Sequence, residues 1–313
     1  MNELPRSFNR ILLAIDGSFQ SKVAVDMTLL ISKIFDSKVT VMHVVPNEAL
    51  RLPNRIYVPR ENFAPVSNAT GQFPRTIIFP ETKEYLIPDE IVNEVIAGYE
   101  EEGENLLSEA VSFFAKEGIA AEQKLEKQSS TSDAILDETE SGNYDCIIMG
   151  NCGNEEDESD LHLGSVASRV SNSNLSNTLV TRKKANLKRI ILAVDGTEKD
   201  EKAIEQTYIL AKAAKSRVIL LNIQEKILSR FGQKAKDIGL EILKRSAVML
   251  PDIEVVQKLM LGDPAKSIIE EAKQADADLI ILSRGGNGRF AGLLGGVSDH
   301  VLRHATVSVL IIK

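Results

Sequence analysis

The sequence predicts two tandem doubly wound α/β domains, each with a parallel sheet covered by helices on both faces. The first observation is an internal repeat: NRILLAIDGS at 9–18 recurs as KRIILAVDGT at 188–197, with six of ten residues identical. Two shorter blocks repeat in the same order, YDCIIM with ADLIIL and LGSV with LGGV. The second observation is that the predicted strands are apolar throughout, which is typical of a parallel sheet buried on both faces.

The second copy shows the alternation of strands and helices clearly. Its predicted strands are IILAV, VILLNI, VVQKLML, DLIIL and SVLIIK. Apolar residues at helical spacing predict a helix after the first strand, and the other helices are predicted at 235–248, 264–275 and 298–304. The start of the helix at 264 has its own signal, because Asp263 is a good N-cap and Pro264 suits the first helical position.

The domain boundary is predicted in the basic stretch RKKAN at 182–186, which gives domains of 1–184 and 185–313. The first domain carries an insertion, at about 46–88, that holds seven of the ten prolines. This proline density argues against a long helix or a central strand. Two interpretations follow: a loop that lies across its own domain or the neighbouring one, or a segment that binds a protein partner or acts as a lid. Helical spacing resumes after it at 91–99.

Composition excludes several classes of function. Lys plus Arg number 37 and Asp plus Glu 45, so the net charge of −8 argues against nucleic acid and anionic membranes as partners. The apolar run 11–15 is too short for a signal peptide, and no stretch approaches the ~20 apolar residues of a membrane span. Cys146 and Cys152 are expected to be reduced thiols. These features predict a cytoplasmic protein.

The candidate site lies at the carboxyl ends of the strands, where open parallel sheets bind ligands. Asp16 and Asp195 follow the first strand of each copy, Val44 and Ile223 end the second strand, and glycine loops follow the fourth. A glycine loop that leads into a helix presents N–H groups suited to phosphate. A carboxylate accepts hydrogen bonds from ribose hydroxyls or from the exocyclic amine of adenine. The constellation predicts a nucleotide site.

At these motifs the sequence resembles the universal stress protein family. The resemblance rests on ILLAIDGS and IILAVDGT, the strand ends MHVV and LLNI, GDPAKSI with Gly262, and LGSVASRV and LGGVSDHV. It covers both copies and leaves out the insertion. It implies a five-stranded, Rossmann-like sheet of the adenine nucleotide alpha hydrolase type, paired through the last strands. A tandem chain can make that pairing internally, and further homodimer formation stays open. It also implies ATP or AMP binding wherever a Gly-two-Gly-nine-Gly-Ser motif is present, and no catalytic residues.

The first copy departs from that motif. Gly150 and Gly153 have the expected separation and Gly164-Ser165 is present, but ten residues lie between Gly153 and Gly164. The intervening loop carries five carboxylates, each of which would cost about 1 kcal/mol beside a phosphate in water. A bound Mg²⁺ would reverse that sign.

The second copy departs differently. Aligned on Gly295-Gly296-Val297, it has Gly285 as second motif glycine and Leu282 in place of the first; aligned on the preceding strand, the pair becomes Ser283 and Gly286. Gly296 replaces the motif serine, although Ser298 follows closely. The loop also carries glycines and arginines that favour phosphate, namely Gly285, Gly286, Gly288, Gly292, Arg284 and Arg289.

Other polar residues have two readings each. His43 and Asn222 occupy matching strand positions. Each is expected to be either a packed polar group or a ligand contact. Ser18 and Thr197 are expected either to cap helices or to place a hydroxyl near the nucleotide. The pair His300 and His304, spaced i and i+4, lacks further ligands nearby in sequence, so no metal site is predicted.

The sequence therefore predicts a stress-response regulatory protein that binds ATP or AMP mainly in the second copy, with Mg²⁺ left open. It is not expected to be an enzyme, because it has no Gly-x4-Gly-Lys-Ser/Thr loop and no Gly-x-Ser-x-Gly elbow, although slow ATP hydrolysis is compatible with it. The alternative is a nucleotide-free interaction scaffold that binds a protein partner through the insertion.

Overall fold

A computed structural model describes residues 7–45, 55–59, 82–86, 89–127, 130–153, 162–183, 185–225, 233–285 and 295–313. Its strands are β1 (Arg10–Ala14), β2 (Lys38–Val44), β3 (Arg55–Pro59), β4 (Thr82–Leu86), β5 (Ala121–Glu126), β6 (Cys146–Gly150), β7 (Asn177–Thr181), β8 (Arg189–Ala193), β9 (Arg217–Gln224), β10 (Val255–Leu261), β11 (Leu279–Ser283) and β12 (Ser308–Ile312). Its helices are α1 (Phe19–Phe35), α2 (Asp89–Lys116), α3 (Thr131–Gly142), α4 (Ser165–Asn172), α5 (Asp200–Ala214), α6 (Gln233–Val248), α7 (Pro264–Gln274) and α8 (Gly296–His304).

Ten of the strands form one sheet in the order β10-β9-β8-β11-β12-β7-β6-β1-β2-β5. Neighbouring strands are parallel except at the centre, where β12 pairs with β7 antiparallel and Val309 lies opposite Val180. Each copy therefore contributes five parallel strands in the same spatial order, which confirms the tandem doubly wound fold. The last strands pair within the chain, as the resemblance implied. The boundary at 184/185 stays a prediction.

The apolar strands are explained by two cores, one on each face of the sheet. In β1, Ile11 and Leu13 face one core and Leu12 faces the other, and all three are fully buried. Each core continues from one copy into the next, since Leu279 shares the first cluster and Ile280 the second. Strands buried on both faces need apolar side chains at every position, so the alternating pattern of a half-exposed strand is missing.

Two helix starts follow the predicted chemistry and one does not. Ser18 caps α1 by accepting a hydrogen bond from the Ser21 N–H, and Asp263 caps α7 by accepting from the Lys266 N–H. The expectation that Thr197 caps the matching helix is wrong, because α5 begins after Lys199 without a side-chain cap. The two copies thus enter their first helix differently.

The described part of the insertion is a two-stranded sheet. β3 pairs antiparallel with β4, Arg55 opposite Leu86, and neither strand joins the ten-stranded sheet. Helix α2 starts directly afterwards, at Asp89. These strands agree with the expectation that the prolines keep the insertion out of the central sheet, and the rest of 46–88 lies outside the described residues. Within the described chain, no helix combines the length and the apolar character needed to cross a membrane.

Candidate functional site

A cavity of about 780 Å³ opens at the carboxyl ends of β8, β9 and β11 in the second copy. This volume falls within the ~300–1,000 Å³ of small-molecule sites. Its lining comes from β9 and β11, from the loops after β8, β9 and β10, and from the starts of α5 and α8, and it includes Asp195, Thr197, Asp200, Asn222, Ile223, Gln224, Glu225, Asp263, Ser283, Gly295, Gly296, Val297, Ser298 and His300. The structure therefore brings together six of the residues predicted for this copy, which are Asp195, Ile223, Gly295, Gly296, Val297 and Ser298.

One wall is formed by the loop after β8. The exposed Asp195 accepts a hydrogen bond from the Thr197 N–H on Oδ1 at 2.9 Å, which leaves Oδ2 for another donor. Thr197 Oγ1 is buried and has no hydrogen-bond partner in the described part of the chain. Thr197 lines the cavity, but this oxygen is shielded from solvent, so a ligand reaches it only if the side chain rotates. The second interpretation of Thr197, a hydroxyl near a ligand, stays a prediction.

The opposite wall is the N-terminus of α8. Gly295 occupies the N-cap position without a side-chain cap, and Gly296 and Val297 begin the helix facing the cavity. The first N–H groups of a helix lack intrahelical partners and lie at the positive end of its dipole, so this wall suits an anion. The expectation for Ser298 needs correction, because its hydroxyl already donates to the Ser283 carbonyl at 3.0 Å.

A carboxylate that sequence reasoning missed, Asp200, lies in the wall between these two ends. It is 3% exposed, and its Oδ2 accepts hydrogen bonds from the N–H groups of Asp195 (2.9 Å) and Gly196 (2.7 Å). Burial and then the negative charge of Asp195 raise the pKa of Asp200 to about 6, against the opposing effect of these hydrogen bonds. The internal repeat could have pointed to Asp200, because the two copies differ at this position: the matching residue of the first copy is Ser21.

The matching residues of β2 and β9 are packed polar groups. Asn222 donates from Nδ2 to the Val194 carbonyl at 2.9 Å, and His43 Nδ1 lies 2.9 Å from the Ile15 carbonyl. Both side chains tie the second strand of their copy to the end of the first. Asn222 nevertheless lines the cavity, and its Oδ1 accepts a hydrogen bond from Gln224.

Several predicted glycines do not line the cavity. The Gly262 N–H donates to the Gln224 carbonyl, and Gly285 turns the chain at φ +70° with its carbonyl held by Lys199 Nζ at 2.8 Å. Gly286, Gly288, Gly292 and Arg289 lie outside the described residues. The expectation that Arg284 favours phosphate is wrong: its guanidinium donates to the carbonyl oxygens of Ser171 and Ser173 in the first copy.

The sheet register decides between the two alignments of the glycine loop. Gly150 lies opposite Thr181 in β7, and Ser283 lies opposite Ile312 at the matching place in β12. Ser283 therefore occupies the position of the first motif glycine. In the first copy a Cβ at Gly150 would come within 2.8 Å of Gln20 Cβ, so a side chain there is excluded.

The first copy brings some of its predicted residues together. Asp16 Oδ2 lies 2.9 Å from the point where Gly153 would carry a Cβ, so the acid and the second motif glycine are in contact. Gly164 precedes α4 without a side-chain cap, and Ser165 is the first helical residue. Val44 ends β2, as predicted. The acidic loop 154–161 lies outside the described residues.

The two histidines of α8 stack, with ring centroids 4.2 Å apart, and His304 Nδ1 lies 2.8 Å from the His300 carbonyl. Nowhere in the described ranges do three or more His, Cys, Asp or Glu residues gather in a group able to hold a metal ion. Neither Cys146 nor Cys152 forms a disulfide within the described residues. Burial raises the pKa of the Cys146 thiol, so that thiol stays protonated.

The fold defines a tandem doubly wound α/β protein, and its second copy carries a cavity in the volume range of small-molecule sites. The model of the universal stress protein family matches residues 186–313. A universal stress protein of Staphylococcus aureus is 30% identical over 140 residues, which covers 40% of this chain and 84% of the relative. The chain belongs to the universal stress protein family.

Solved structures match the fold of the whole chain. A universal stress protein from Archaeoglobus fulgidus superposes with a TM-score of 0.68 at 20% identity, covering 99% of this chain and 98% of that chain. A protein from Pseudomonas aeruginosa, also described as a universal stress protein, gives 0.65 at 13% identity, covering 98% and 94%. The two-copy arrangement is therefore shared with solved proteins.

Proposed function

We propose that this protein binds an adenine nucleotide, ATP or AMP, in the cavity of the second copy, and that the nucleotide is a regulatory ligand in a stress response. The observation that carries the proposal is the cavity of about 780 Å³ with Asp195 at one wall and the uncapped start of α8 at the other. Hydroxyl and amine donors suit the first wall, and phosphates suit the second.

The groups of a nucleotide have matching partners in this arrangement. Asp195 and Thr197 would contact the ribose or the base, Ile223 would pack against the apolar face of adenine, and the N–H groups at 295–298 would contact phosphates. The cavity also carries the carboxylates of Asp200, Glu225 and Asp263. A divalent cation bound with the phosphates offsets part of their charge and leaves the ATP complex anionic, so Mg²⁺ belongs to the proposal for ATP.

The proposed role is binding, with the protein's response set by occupancy. The first copy is proposed as the weaker site, through Asp16, Val44, Gly150, Gly153, Gly164 and Ser165. Its acidic loop is the reason, because five carboxylates in the sequence between Gly153 and Gly164 oppose a phosphate.

Nucleotide content and titration test the proposal. Freshly purified protein is denatured, the released small molecules are chromatographed, and the stripped protein is titrated with ATP plus Mg²⁺, or with AMP, in a calorimeter. We expect close to one adenine nucleotide per chain. Asp195→Ala should weaken the tighter binding at least tenfold, whereas the matched control Asp16→Ala should leave that tighter site unchanged. Equal loss in both variants contradicts a site in the second copy, and no binding at millimolar ATP contradicts the function.

One observation favours the alternative, an interaction module that works through the insertion. β3 and β4 form a sheet of their own, so the ten-stranded sheet does not use them as strands. Connecting segments outside a central sheet often carry binding functions, and we propose a protein partner for this one. Absence of nucleotide binding, together with loss of a partner when the insertion is deleted, would favour this function.

A further inference from the structure

Asp200 joins two walls of the cavity in the second copy. Its Oδ2 accepts the N–H groups of Asp195 and Gly196, and its Oδ1 accepts a hydrogen bond from the Ser283 hydroxyl at 3.3 Å. The Ser283 carbonyl in turn accepts the Ser298 hydroxyl at the start of α8. The carboxylate is thus connected to both the loop after β8 and the helix start that would face phosphate.

The first copy has no ionisable group at this place. Ser21 takes the position of Asp200, and its hydroxyl donates to the Ser18 carbonyl at 2.9 Å, within its own helical turn. Gly150 takes the position of Ser283 and leaves no room for a side chain. The two copies therefore differ at both partners of one contact, with Asp and Ser in the second copy and Ser and Gly in the first.

The contact can hold Asp200 in either protonation state. The two backbone N–H groups bind Oδ2 whether the carboxyl is charged or neutral. A proton on Oδ1 would be donated to Ser283 Oγ, because a hydroxyl that rotates can accept as well as donate. Taking up a proton therefore requires no change in the backbone of the loop.

The surroundings decide how a ligand acts on this carboxyl. Burial is the largest cause of its raised pKa, and Asp195 adds a like charge. Lys199, next to it, is engaged with the Gly285 carbonyl. Other titratable groups face it across the cavity and across the smaller cleft between α5 and α6: Glu225, Asp263, His300, Glu198, Glu201 and Arg245. Acidic groups outnumber basic ones among them, so the few cations near Asp200 do little to keep its carboxyl ionised.

We propose that binding of an anionic nucleotide in this cavity is coupled to uptake of a proton by Asp200, so that the protein binds the nucleotide more tightly as the pH falls. The inference rests on the proposed function. A bound nucleotide displaces water from the wall that Asp200 shares with Asp195 and adds negative phosphate nearby, and both changes favour the protonated carboxyl. By linkage, protonation then favours the nucleotide to the same extent.

Calorimetry near pH 6 measures this uptake directly. ATP with Mg²⁺ is titrated into the full-length protein in two buffers that differ in ionisation enthalpy, and the difference in binding heat gives the number of protons taken up. We expect the wild-type chain to take up a fraction of a proton more than Asp200→Asn. We also expect its affinity to fall between pH 6 and pH 8, by about tenfold for each unit by which ATP raises the pKa.

Two control variants make each outcome decisive. The double variant Asp200→Ser with Ser283→Gly introduces the residues of the first copy. It should take up the same number of protons as Asp200→Asn, which shows that the result does not depend on one particular substitution. His300→Gln should keep the wild-type uptake, and protonation of ATP itself is common to all the proteins and cancels in the comparison. Equal uptake in wild type and Asp200→Asn, with ATP bound by both, overturns the inference alone. No binding heat in any buffer overturns the proposed function and this inference with it.

Discussion

Arg284 of the second copy donates hydrogen bonds from both terminal nitrogens to the carbonyl oxygen of Ser171, at 3.0 and 2.7 Å, and also contacts the Ser173 carbonyl. Ser171 lies in the last turn of α4, whose carbonyls have no intrahelical partners. Arg182 makes the reciprocal contact by donating to the Leu302 carbonyl of α8 at 2.6 Å. Each copy therefore supplies an arginine to the helix that follows the candidate loop of the other.

Replacing Arg284 with alanine should destabilise the whole chain. Loss of the guanidinium leaves the part-buried carbonyls of Ser171 and Ser173 without this donor, which costs about 1–3 kcal/mol. Arg284→Lys should lose part of that, because an ammonium cannot bind two carbonyls in the geometry of a planar guanidinium. Urea denaturation measures the effect. The control Arg217→Ala removes an exposed ion pair with Glu254 and should cost about 0–1 kcal/mol; an equal cost for both arginines would contradict a special role for Arg284.

Two helix glycines should respond oppositely to alanine. A Cβ at Gly239 in α6 would lie 2.4 Å from Leu259 Cδ1 and 2.8 Å from Asn222 Oδ1, whereas a Cβ at Gly98 in α2 meets nothing within 4 Å. Gly239→Ala should therefore cost about 1–3 kcal/mol through overpacking. Gly98→Ala should stabilise the protein by up to about 1 kcal/mol through helix propensity. Thermal unfolding of both variants checks the pair, and stabilisation by Gly239→Ala would show that α6 does not pack this closely on the sheet.

The pH dependence of stability should carry the signature of Asp200. Its pKa of about 6 lies above the ordinary 3.8, so the folded state binds the proton more tightly than the unfolded state. The associated stabilisation is full below about pH 4 and is lost as the pH rises through about 6. Asp200→Asn cannot ionise. As the pH rises through this window, its free energy of unfolding should therefore increase relative to that of the wild-type chain, by on the order of 3 kcal/mol at most.

Urea denaturation of both proteins at several pH values between 4 and 8 measures that difference. Asp195→Asn is the informative comparison, because it removes the neighbouring negative charge. The loss of stability that accompanies ionisation of Asp200 should then occur at lower pH, and burial is the remaining cause of the raised pKa. A difference between wild type and Asp200→Asn that stays constant with pH would show that Asp200 titrates normally in the folded state.

The sequence was sufficient for features that depend on neighbouring residues. Asp263 and Pro264 define a helix start locally, and the apolar strands define a doubly wound sheet because both of its faces are covered. Contacts between segments that are distant along the chain could not be predicted from the sequence. Arg284 looked like a phosphate ligand because it stands beside the glycine loop, and only the pairing of β7 with β12 brings Ser171 within its reach. Asp200 was missed because its importance depends on burial against Ser283.

Deletion of residues 50–85, bridged by a short Gly/Ser linker, should leave the ten-stranded sheet folded. The deletion removes β3 and most of β4, which pair with each other and contribute no strand to the central sheet. A shorter connection between β2 and α2 also lowers the entropy cost of loop closure, by about 1 kcal/mol or less, so the free energy of unfolding should stay the same or rise slightly. Chemical denaturation with a single cooperative transition, together with retained ATP binding, would show that the insertion is a separate module. Loss of the cooperative transition would instead make it a structural part of the first copy, which is the other interpretation of its proline-rich sequence.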